Sequence, residues 1–406
     1  MSERHDTVVI GGGQAGLAVS YHLQRHGREH VVLERARVAD RWYSQRWDSL
    51  HFQFPNWSMK LPGFDYAGSN PDGFAHRGDV AKLIEDYATF IDAPLRCPVD
   101  VRELARDDAT GRFALDSSAG PIDAARVVVA AGPFQRASIP ACASELPAHA
   151  MQLHASQYFR PSQLPPGAVL IIGSGSSGAQ IAEELLRDGR TVYLSVGRHR
   201  RIPRRYRGRD LLAWMYETGM VERSKDPPAG GVHPPTVLLS GSAGGHDMDL
   251  RALAADGAVL LGKLEGVRDG APTFDASVND TLAFATRAFE DYVRMVDAYI
   301  RDHGIDAPEE VPRRLPEVRF DPPRSLDLAA AGINTVLWCT GYHVDFDWIR
   351  LPLFDEHGNP KHLRGVTACP GLCFVGLHWM YKYTSATMFG VGEDAAYIAD
   401  HLQQSA

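Results

Sequence analysis

The residues from Thr7 to Glu34 constrain the fold most strongly, because they combine a strand, a glycine-rich turn, a helix and a second strand. Val8-Val9-Ile10 is an apolar run typical of a buried strand, and glycines with the spacing G-x-G-x-x-G follow it. Such glycines permit a tight turn, let a pyrophosphate approach the backbone and let helix and strand pack closely. The free N–H groups and the dipole of the helix N-terminus attract phosphate. The segment therefore predicts a dinucleotide-binding unit.

The second strand of this unit, Val31-Val32-Leu33, ends on an acid. Glu34 follows Gly16 at the spacing where a carboxylate accepts hydrogen bonds from ribose hydroxyls. The candidate cofactor-binding residues here are Gly11, Gly13, Gln14, Ala15, Gly16, Glu34 and Arg35.

The same design recurs further along the chain. An apolar run, residues 169–172, precedes the glycine-rich turn 173–178, and a helical pattern and a strand pattern at 191–196 follow. Two independent units in one chain predict two bound dinucleotides. The candidate residues of this second unit are Gly173, Gly175, Ser176, Ser177 and Gly178.

The ribose position differs between the two units. Val196 stands at the distance from Gly178 that separates Glu34 from Gly16, and no carboxylate lies beside it in the sequence. A run of arginines follows, namely Arg198, Arg200, Arg201, Arg204, Arg205, Arg207 and Arg209. Arginine in place of an acid suits a 2′-phosphate, so Arg198 and Arg200 predict NADPH rather than NADH. A solvated basic loop is the alternative, and the acidic chain disfavours a nucleic-acid patch.

Small residues end three further apolar runs, at 126–133, 335–342 and 372–377. They would let a cofactor approach the backbone, and tight strand ends are the alternative interpretation. The candidates are Ala131, Gly132, Thr340, Gly341, Tyr342 and Gly376. His378 lies between the last run and a helix predicted at 392–402, where it lines the site or packs in the core. That helix N-terminus could stabilise negative charge on a reduced flavin.

An aromatic segment, residues 42–66, begins at Trp42 and has an irregular, proline-containing pattern. It either walls an apolar ligand pocket or forms a core where two domains meet. Gln53 and Asn56 within it could point at a flavin or its oxygen adduct, or could satisfy loop backbone. Further along, His154 and Tyr158 are predicted to be an exposed pair of side chains in a loop. Residues 99–122 predict an antiparallel meander, and 278–303 predict a long helix that Asn279 or Asp280 caps and Gly304 ends.

Length and composition set the broad class. The chain has 406 residues, more than one hydrophobic core usually carries, so two domains are expected. The net charge of −8 gives no general attraction to nucleic acid or anionic membrane. Five scattered cysteines argue against a disulfide framework and for a reducing compartment. No signal-peptide pattern and no apolar run near the roughly 20 residues of a membrane span are present. We expect a cytoplasmic protein without a metal site.

The paired glycine motifs resemble those of the two-dinucleotide flavoproteins. Together with VVVAAGPF, HASQYFRP, GSGSSG, VLWCTGYH and FVGLHW, they are similar to class B flavin-containing monooxygenases, including the plant indole-pyruvate monooxygenases and bacterial relatives. The resemblance covers nearly the whole chain and is weakest over about 210–325. It implies an α/β fold with two Rossmann-like domains: FAD on residues 1–162 and 326–406, and NADP on 163–325, which carry an insertion.

The resemblance also implies chemistry. NADPH would reduce FAD, O2 would add to the reduced ring as a peroxide, and one oxygen atom would pass to a small organic substrate. The family fingerprint F-x-G-x-x-x-H-x-x-x-Y keeps His154 and Tyr158, but Ala148 and Ala150 replace its Phe and Gly. Phe159 follows the tyrosine, where Baeyer–Villiger enzymes have Pro or Asp, so heteroatom oxidation or hydroxylation is favoured.

Two other functions remain open at this point. An NADPH-dependent flavin reductase would pass electrons to a quinone, a disulfide or a protein. Disulfide reductases need paired cysteines beside the flavin, and the nearest spacing here is Cys369 to Cys373, which two packed thiols explain as well. A flavin-binding regulator is the third possibility, although no interaction module accompanies the two nucleotide units. The sequence leaves the substrate and the oligomeric state unspecified.

Overall fold

A computed structural model describes residues 2–222, 235–311 and 318–404. Within these ranges the α-helices are α1 (Gln14–Arg25), α2 (Asp40–Ser44), α3 (Arg77–Phe90), α4 (Ser176–Arg187), α5 (Leu211–Glu217), α6 (Leu250–Ala255), α7 (Val278–His303) and α8 (Val391–Gln404). The strands are β1 (Glu3–Ile10), β2 (His30–Leu33), β3 (Leu95–Arg96), β4 (Val101–Arg106), β5 (Phe113–Ser117), β6 (Ile122–Val129), β7 (Arg136–Ala137), β8 (Met151–His154), β9 (Ala168–Ile172), β10 (Val192–Ser195), β11 (Arg200–Arg201), β12 (Arg205–Tyr206), β13 (Arg209–Asp210), β14 (Val237–Ser240), β15 (His246–Asp247), β16 (Val259–Leu261), β17 (Leu264–Arg268), β18 (Ala271–Phe274), β19 (Ile333–Trp338), β20 (Tyr342–His343), β21 (His362–Leu363), β22 (Val366–Thr367) and β23 (Leu372–Phe374).

The first sheet has the strand order β21-β22-β23-β6-β1-β2-β3, and β5 joins it through β6. Its central strands are parallel and buried on both faces, which explains their continuous apolar runs. The amino-terminal half of β6 also pairs antiparallel with β5, and β5 pairs with β4. One strand thus belongs both to the parallel sheet and to the predicted antiparallel meander.

The second sheet has the order β16-β10-β9-β19-β8, and every pairing in it is parallel. The helix α4 packs on one face, where it shares an apolar core with α6 and the start of α7. The predicted α/β architecture, with two Rossmann-like units and a small antiparallel meander, is confirmed.

Two strands outside the boundaries expected at 162 and 326 pair with the second sheet. The strands β8 and β19, at 151–154 and 333–338, both hydrogen-bond into the second sheet. The boundary motifs gave no sign of this, because the pairing of a parallel strand depends on partners distant in sequence. We therefore propose that the second domain includes both strands.

The long helix α7 covers the predicted residues 278–303, and Gly304 ends it in a left-handed conformation with φ = 61°. The expected cap was wrong, because Ser277 occupies the N-cap position and makes no side-chain capping bond. Asn279 instead bridges to another segment: its amide donates to Phe320 O (2.8 Å), and its oxygen accepts from Phe320 N (2.9 Å).

His154 and Tyr158 are buried, so the expectation of an exposed pair was wrong. His154 Nε2 lies 3.0 Å from Gly341 O, and burial lowers the pKa of its imidazole. The Tyr158 hydroxyl donates to Glu184 Oε2 in α4 at 2.6 Å, and burial raises the pKa of this phenol. The pair therefore ties the end of β8 and the segment that follows it to the turn after β19 and to α4.

Replacement of Tyr158 by Phe should lower the free energy of unfolding by about 1–3 kcal/mol, because the hydrogen bond to a partly buried carboxylate is lost. Urea unfolding measures the difference. Tyr193→Phe in β10 is the matched control, since its hydroxyl makes no hydrogen bond within the described residues. Equal stabilities for the two variants would contradict this role of Tyr158.

Candidate functional site

The turn after β1 is fixed by close backbone contacts that exclude side chains. Gly11 has φ = 114°, and a Cβ there would lie 2.5 Å from Ala130 O. A Cβ on Gly16 would lie 1.9 Å from Gly11 O. Glu34 accepts hydrogen bonds from Gly12 N (2.8 Å) and Ala36 N (3.1 Å), so its carboxylate braces the turn.

Gly13 differs from its neighbours, because a Cβ there would meet no atom within 4 Å. It is the N-cap of α1 and has no side-chain capping bond, so the helix N-terminus opens onto this space. Free N–H groups facing open space suit a pyrophosphate. The residues of the turn therefore fit the phosphates of a dinucleotide.

The neighbours of Gly13 hold the turn against the C-terminal segment. The side chain of Gln14 donates to Ala386 O at 2.9 Å. Gly376, with φ = 77°, would place a Cβ 2.5 Å from the Cβ of Ala15. Arg35 is exposed beyond the end of β2. Gln14 and Ala15 thus position the cradle, and Gly376 permits the close approach of the C-terminal segment to it.

The turn after β9 repeats this geometry. Gly173 has φ = 100° and its Cβ would lie 2.5 Å from Cys339 O, while a Cβ on Gly178 would lie 1.9 Å from Gly173 O. Gly175 is the N-cap of α4 without a side-chain capping bond, and a Cβ there would meet nothing within 4 Å. The second turn therefore fits a pyrophosphate in the same way.

Ser176 and Ser177 occupy the first turn of α4 in this second unit. The Ser176 hydroxyl donates to Val237 O at 3.4 Å, which ties the helix start to β14. Ser177 is partly buried beside it.

The small residues after β6 and β19 lie where the chain crosses between the two sheets. Gly132 and Gly341 have φ of 72° and 84°. Gly341 O accepts from Ser138 N (2.9 Å), and the Thr340 hydroxyl donates to Ser138 O. Tyr342 pairs with a short strand, β7, and Ala131 packs against the core on the meander side of the first sheet. These residues join the two cradles.

Rings of the aromatic segment contact rings of α5 and of the C-terminal segment. Ring centroids link Phe54 to Phe389 at 5.3 Å, and Phe389 to Tyr216 of α5 at 6.2 Å. Trp57 contacts Tyr216 at 5.8 Å. Trp42 joins the same chain of rings through a neighbouring phenylalanine at 6.3 Å.

The structure gives the predicted catalytic residues different surroundings. Gln53 accepts a hydrogen bond from Arg204 through its backbone oxygen. Asn56 is buried, and its amide donates to Asn70 O (2.9 Å), so it does satisfy loop backbone. Its Oδ1 is also buried and has no partner among the described residues, which leaves one acceptor for a ligand. His378 contacts the ring of Phe134 at 5.3 Å.

Sequence reasoning missed Arg46, a partly buried cation beside two aromatic rings. Its guanidinium lies 5.8 Å from the ring of Trp42 and 5.6 Å from that of Phe134. Burial lowers the pKa of Arg46, and a hydrogen bond with the side chain of Tyr342 opposes that effect. Burial likewise lowers the pKa of Arg41 to about 10. The available signal was two arginines, one directly before the aromatic segment and one inside it.

Most of the arginine run has a structural role. Arg201 pairs with Asp249 (3.0 Å) and Arg204 with Asp210 (2.9 Å), and both arginines are buried, so a solvated basic loop is wrong for them. Arg205 donates to backbone oxygens, and Arg207 and Arg209 pair with acids.

The two arginines predicted to bind the cofactor have other surroundings. Arg200 Nε donates to Pro235 O at 3.0 Å. Arg198 lies beyond the end of β10, with its guanidinium 4.2 Å from the ring centroid of Phe284.

The cysteines do not form a redox pair. All five belong to the described residues and are free thiols. Burial raises the pKa of both Cys339 and Cys373 to about 12, so their thiolates are scarce near neutral pH. Within residues 2–222, 235–311 and 318–404, no group of three His, Cys, Asp or Glu side chains could hold a metal. In the same part of the chain, no helix combines the length and apolar character needed to cross a bilayer.

Comparisons with known proteins agree with this geometry. The profile of the pyridine nucleotide-disulphide oxidoreductase family matches residues 8–213. A CzcO-like oxidoreductase of Geobacillus kaustophilus is 31% identical over 98% of both chains. The probable indole-3-pyruvate monooxygenase YUCCA1 of Arabidopsis thaliana is 26% identical over 47% of each chain. A flavin-containing monooxygenase from Stenotrophomonas maltophilia shares the fold, with a TM-score of 0.66 at 20% identity over 99% of both chains. The resemblance inferred from the motifs is confirmed.

Substitution Gly13→Val should give a folded protein that purifies without flavin. The new Cβ meets no protein atom within 4 Å, but the side chain occupies the space through which phosphate reaches the backbone. Absorbance near the flavin bands and circular dichroism measure the two properties. Gly16→Val is the contrasting variant, because its Cβ clashes with Gly11 O and folding itself should fail. A yellow Gly13→Val protein would contradict the assignment of this cradle.

The pair His246–Glu183 should make the anchoring of α4 dependent on pH. The Glu183 carboxylate bonds His246 Nε2 at 2.8 Å and raises the pKa of that imidazole, and Glu183 also pairs with Arg187. Stabilisation is therefore complete below the ordinary histidine pKa of about 6.5 and is lost as pH rises through the raised value.

We expect His246→Gln to lower the free energy of unfolding by about 1 kcal/mol at pH 6, and by less at pH 9. Unfolding curves at both pH values measure this. His343→Gln, at an exposed position, is the control. A loss of stability in His246→Gln that is larger at pH 9 than at pH 6 would contradict the predicted direction of the pH dependence.

Proposed function

Because the chain belongs to the pyridine nucleotide-disulphide oxidoreductase family, we propose that it is an FAD-dependent monooxygenase that consumes NADPH. It would insert one atom of O2 into a small organic substrate. The observation that carries this proposal is the pair of glycine turns, each with a helix N-terminus opening onto free space at Gly13 and Gly175. When bound, FAD and NADPH supply hydride transfer and oxygen activation.

The first cradle would hold FAD. Gly11, Gly13 and Gly16 leave room for its pyrophosphate, and Glu34 would accept hydrogen bonds from the ribose. The strand ends at Ala131–Gly132 and Gly376 would lie against it. The second cradle would hold NADPH on Gly173, Gly175 and Gly178, with Ser176 and Ser177 at the helix start and the arginines after β10 near the adenosine. Thr340, Gly341 and Tyr342 would lie between the two cofactors.

The aromatic core at the domain junction would exclude water from the reaction. Its rings come from the first half, from α5 and from the C-terminal segment, so they would close the space between the cradles. Exclusion of water would favour transfer of oxygen to the substrate over its release as hydrogen peroxide. Trp42 would belong to this wall.

Three polar side chains would act at the reacting centre. Asn56 Oδ1 is a buried acceptor without a partner among the described residues, so it could accept a hydrogen bond from the cofactor or the substrate. Gln53, close to it in the loop, would offer its amide. His378, beside the ring of Phe134, would contact the substrate.

We further propose heteroatom oxidation or hydroxylation rather than Baeyer–Villiger insertion, because Phe159 follows Tyr158. The second candidate is an NADPH-dependent reductase for quinones, disulfides or proteins. The high thiol pKa values of Cys339 and Cys373 argue against disulfide reduction. An experiment distinguishes a quinone or protein from O2 as the electron acceptor.

Mixing the reduced holoprotein with oxygenated buffer tests the proposal. We expect oxygen to be consumed first and hydrogen peroxide to appear only after a long delay, because the aromatic core would keep water away from the site. An oxygen electrode and a peroxide assay on the same sample measure the two. Release of peroxide as fast as oxygen uptake, together with rapid anaerobic NADPH oxidation by a quinone, would favour the reductase instead.

A further inference from the structure

A cavity of about 360 Å³ lies at the carboxyl ends of β10 and β16, beside the second glycine turn. In parallel α/β sheets, ligands bind outside these ends, and the end of the second strand contacts the adenosine ribose. A larger cavity, of about 570 Å³, lies at the opposite end of the same sheet, near Gly167 and Thr191. The smaller cavity is therefore the one that a nucleotide held by the turn would reach.

Three cations from three different elements line this cavity. Arg198 follows β10, Lys263 follows β16, and Arg287 lies on α7. The ring of Phe284, one helical turn before Arg287, lies against the guanidinium of Arg198 at 4.2 Å and orients it. Within the described residues, none of the three cations lies at ion-pair distance from a carboxylate, unlike Arg201 and Arg204.

Two acids also line the cavity, and they differ in availability. The Asp275 carboxylate accepts hydrogen bonds from Lys263 N (2.8 Å) and Ser277 N (2.9 Å), so it is occupied in shaping the rim. Asp280 lies exposed in the first turn of α7. A negative ligand would gain from the three cations and from the N-terminus of a 26-residue helix, and would lose from the carboxylates of both Asp275 and Asp280.

We propose that Lys263 and Arg287, together with Arg198, form the site for the 2′-phosphate on the adenosine ribose, and that Asp280 opposes it. Selectivity between the two nicotinamide nucleotides then comes from elements far beyond Arg198 in the sequence, and not from the arginine run that follows it. This inference rests on the proposed use of NADPH. Its chemistry is that of cations converging on a phosphate.

Calorimetric titration of the flavin-loaded chain with adenosine 2′,5′-bisphosphate and with AMP tests the proposal without turnover. We expect the natural protein to bind the bisphosphate more tightly than AMP. Lys263→Ala and Arg287→Ala should each weaken the affinity for the bisphosphate on the order of tenfold and leave the affinity for AMP unchanged, since each removes one charged contact. Asp280→Asn should strengthen the affinity for the bisphosphate. All three positions are exposed, so folding should survive.

Arg205→Ala is the matched control, because this arginine donates to the backbone oxygens of Gly244 and Gly245 and does not line the cavity. If the wild-type protein prefers the bisphosphate and Lys263→Ala and Arg287→Ala keep that preference, the inference is overturned and the NADPH proposal stands. A natural protein with no preference for the bisphosphate over AMP would overturn both. A loss of preference in Arg205→Ala equal to that in the other two would also overturn the inference.

Discussion

The contact between a helix start and the turn before it is the constraint on which both halves of this molecule depend. At Gly16 and at Gly178, a single Cβ would lie 1.9 Å from the carbonyl oxygen of the turn. Only a hydrogen in place of a side chain lets the helix sit so close to the strand. The same approach aims the helix N-terminus at the space in front of Gly13 and Gly175. Packing and the capacity to bind phosphate therefore have one geometric cause.

The two cradles are useful together only if their relative position is held. The chain crosses between the sheets at the segments after β6 and β19, which Ser138 joins through hydrogen bonds with Gly341 and Thr340. His154, at the end of β8, also bonds to Gly341 O. Tyr158 continues this connection to α4 through Glu184. The aromatic segment fills the remaining junction with rings from both halves. Buried hydrogen bonds fix the relative orientation of the contacting segments, and burial of the apolar rings supplies most of the free energy of the contact between the halves.

Local patterns predicted the parts of the site whose chemistry is local. The glycine spacings, the strands before them, the acid at Glu34 and the helix at 278–303 were all readable, because propensity and periodicity act over short stretches of sequence. The burial of Tyr158 and the membership of β8 and β19 in the second sheet were not readable. They depend on partners distant in the sequence, such as Glu184 for Tyr158, and such contacts leave no periodic signal.

The sequence by itself determined that this chain folds into two dinucleotide-type α/β units, since each glycine motif allows one backbone path and an apolar run leads directly into each motif. Only the tertiary structure decided what the charged residues do. It gave Arg201 and Arg204 buried carboxylate partners, placed Arg46 among aromatic rings, and brought Lys263 and Arg287 to the rim beside Arg198. The physical reason is that backbone geometry follows from neighbours in sequence, whereas the role of a charge follows from its neighbours in space.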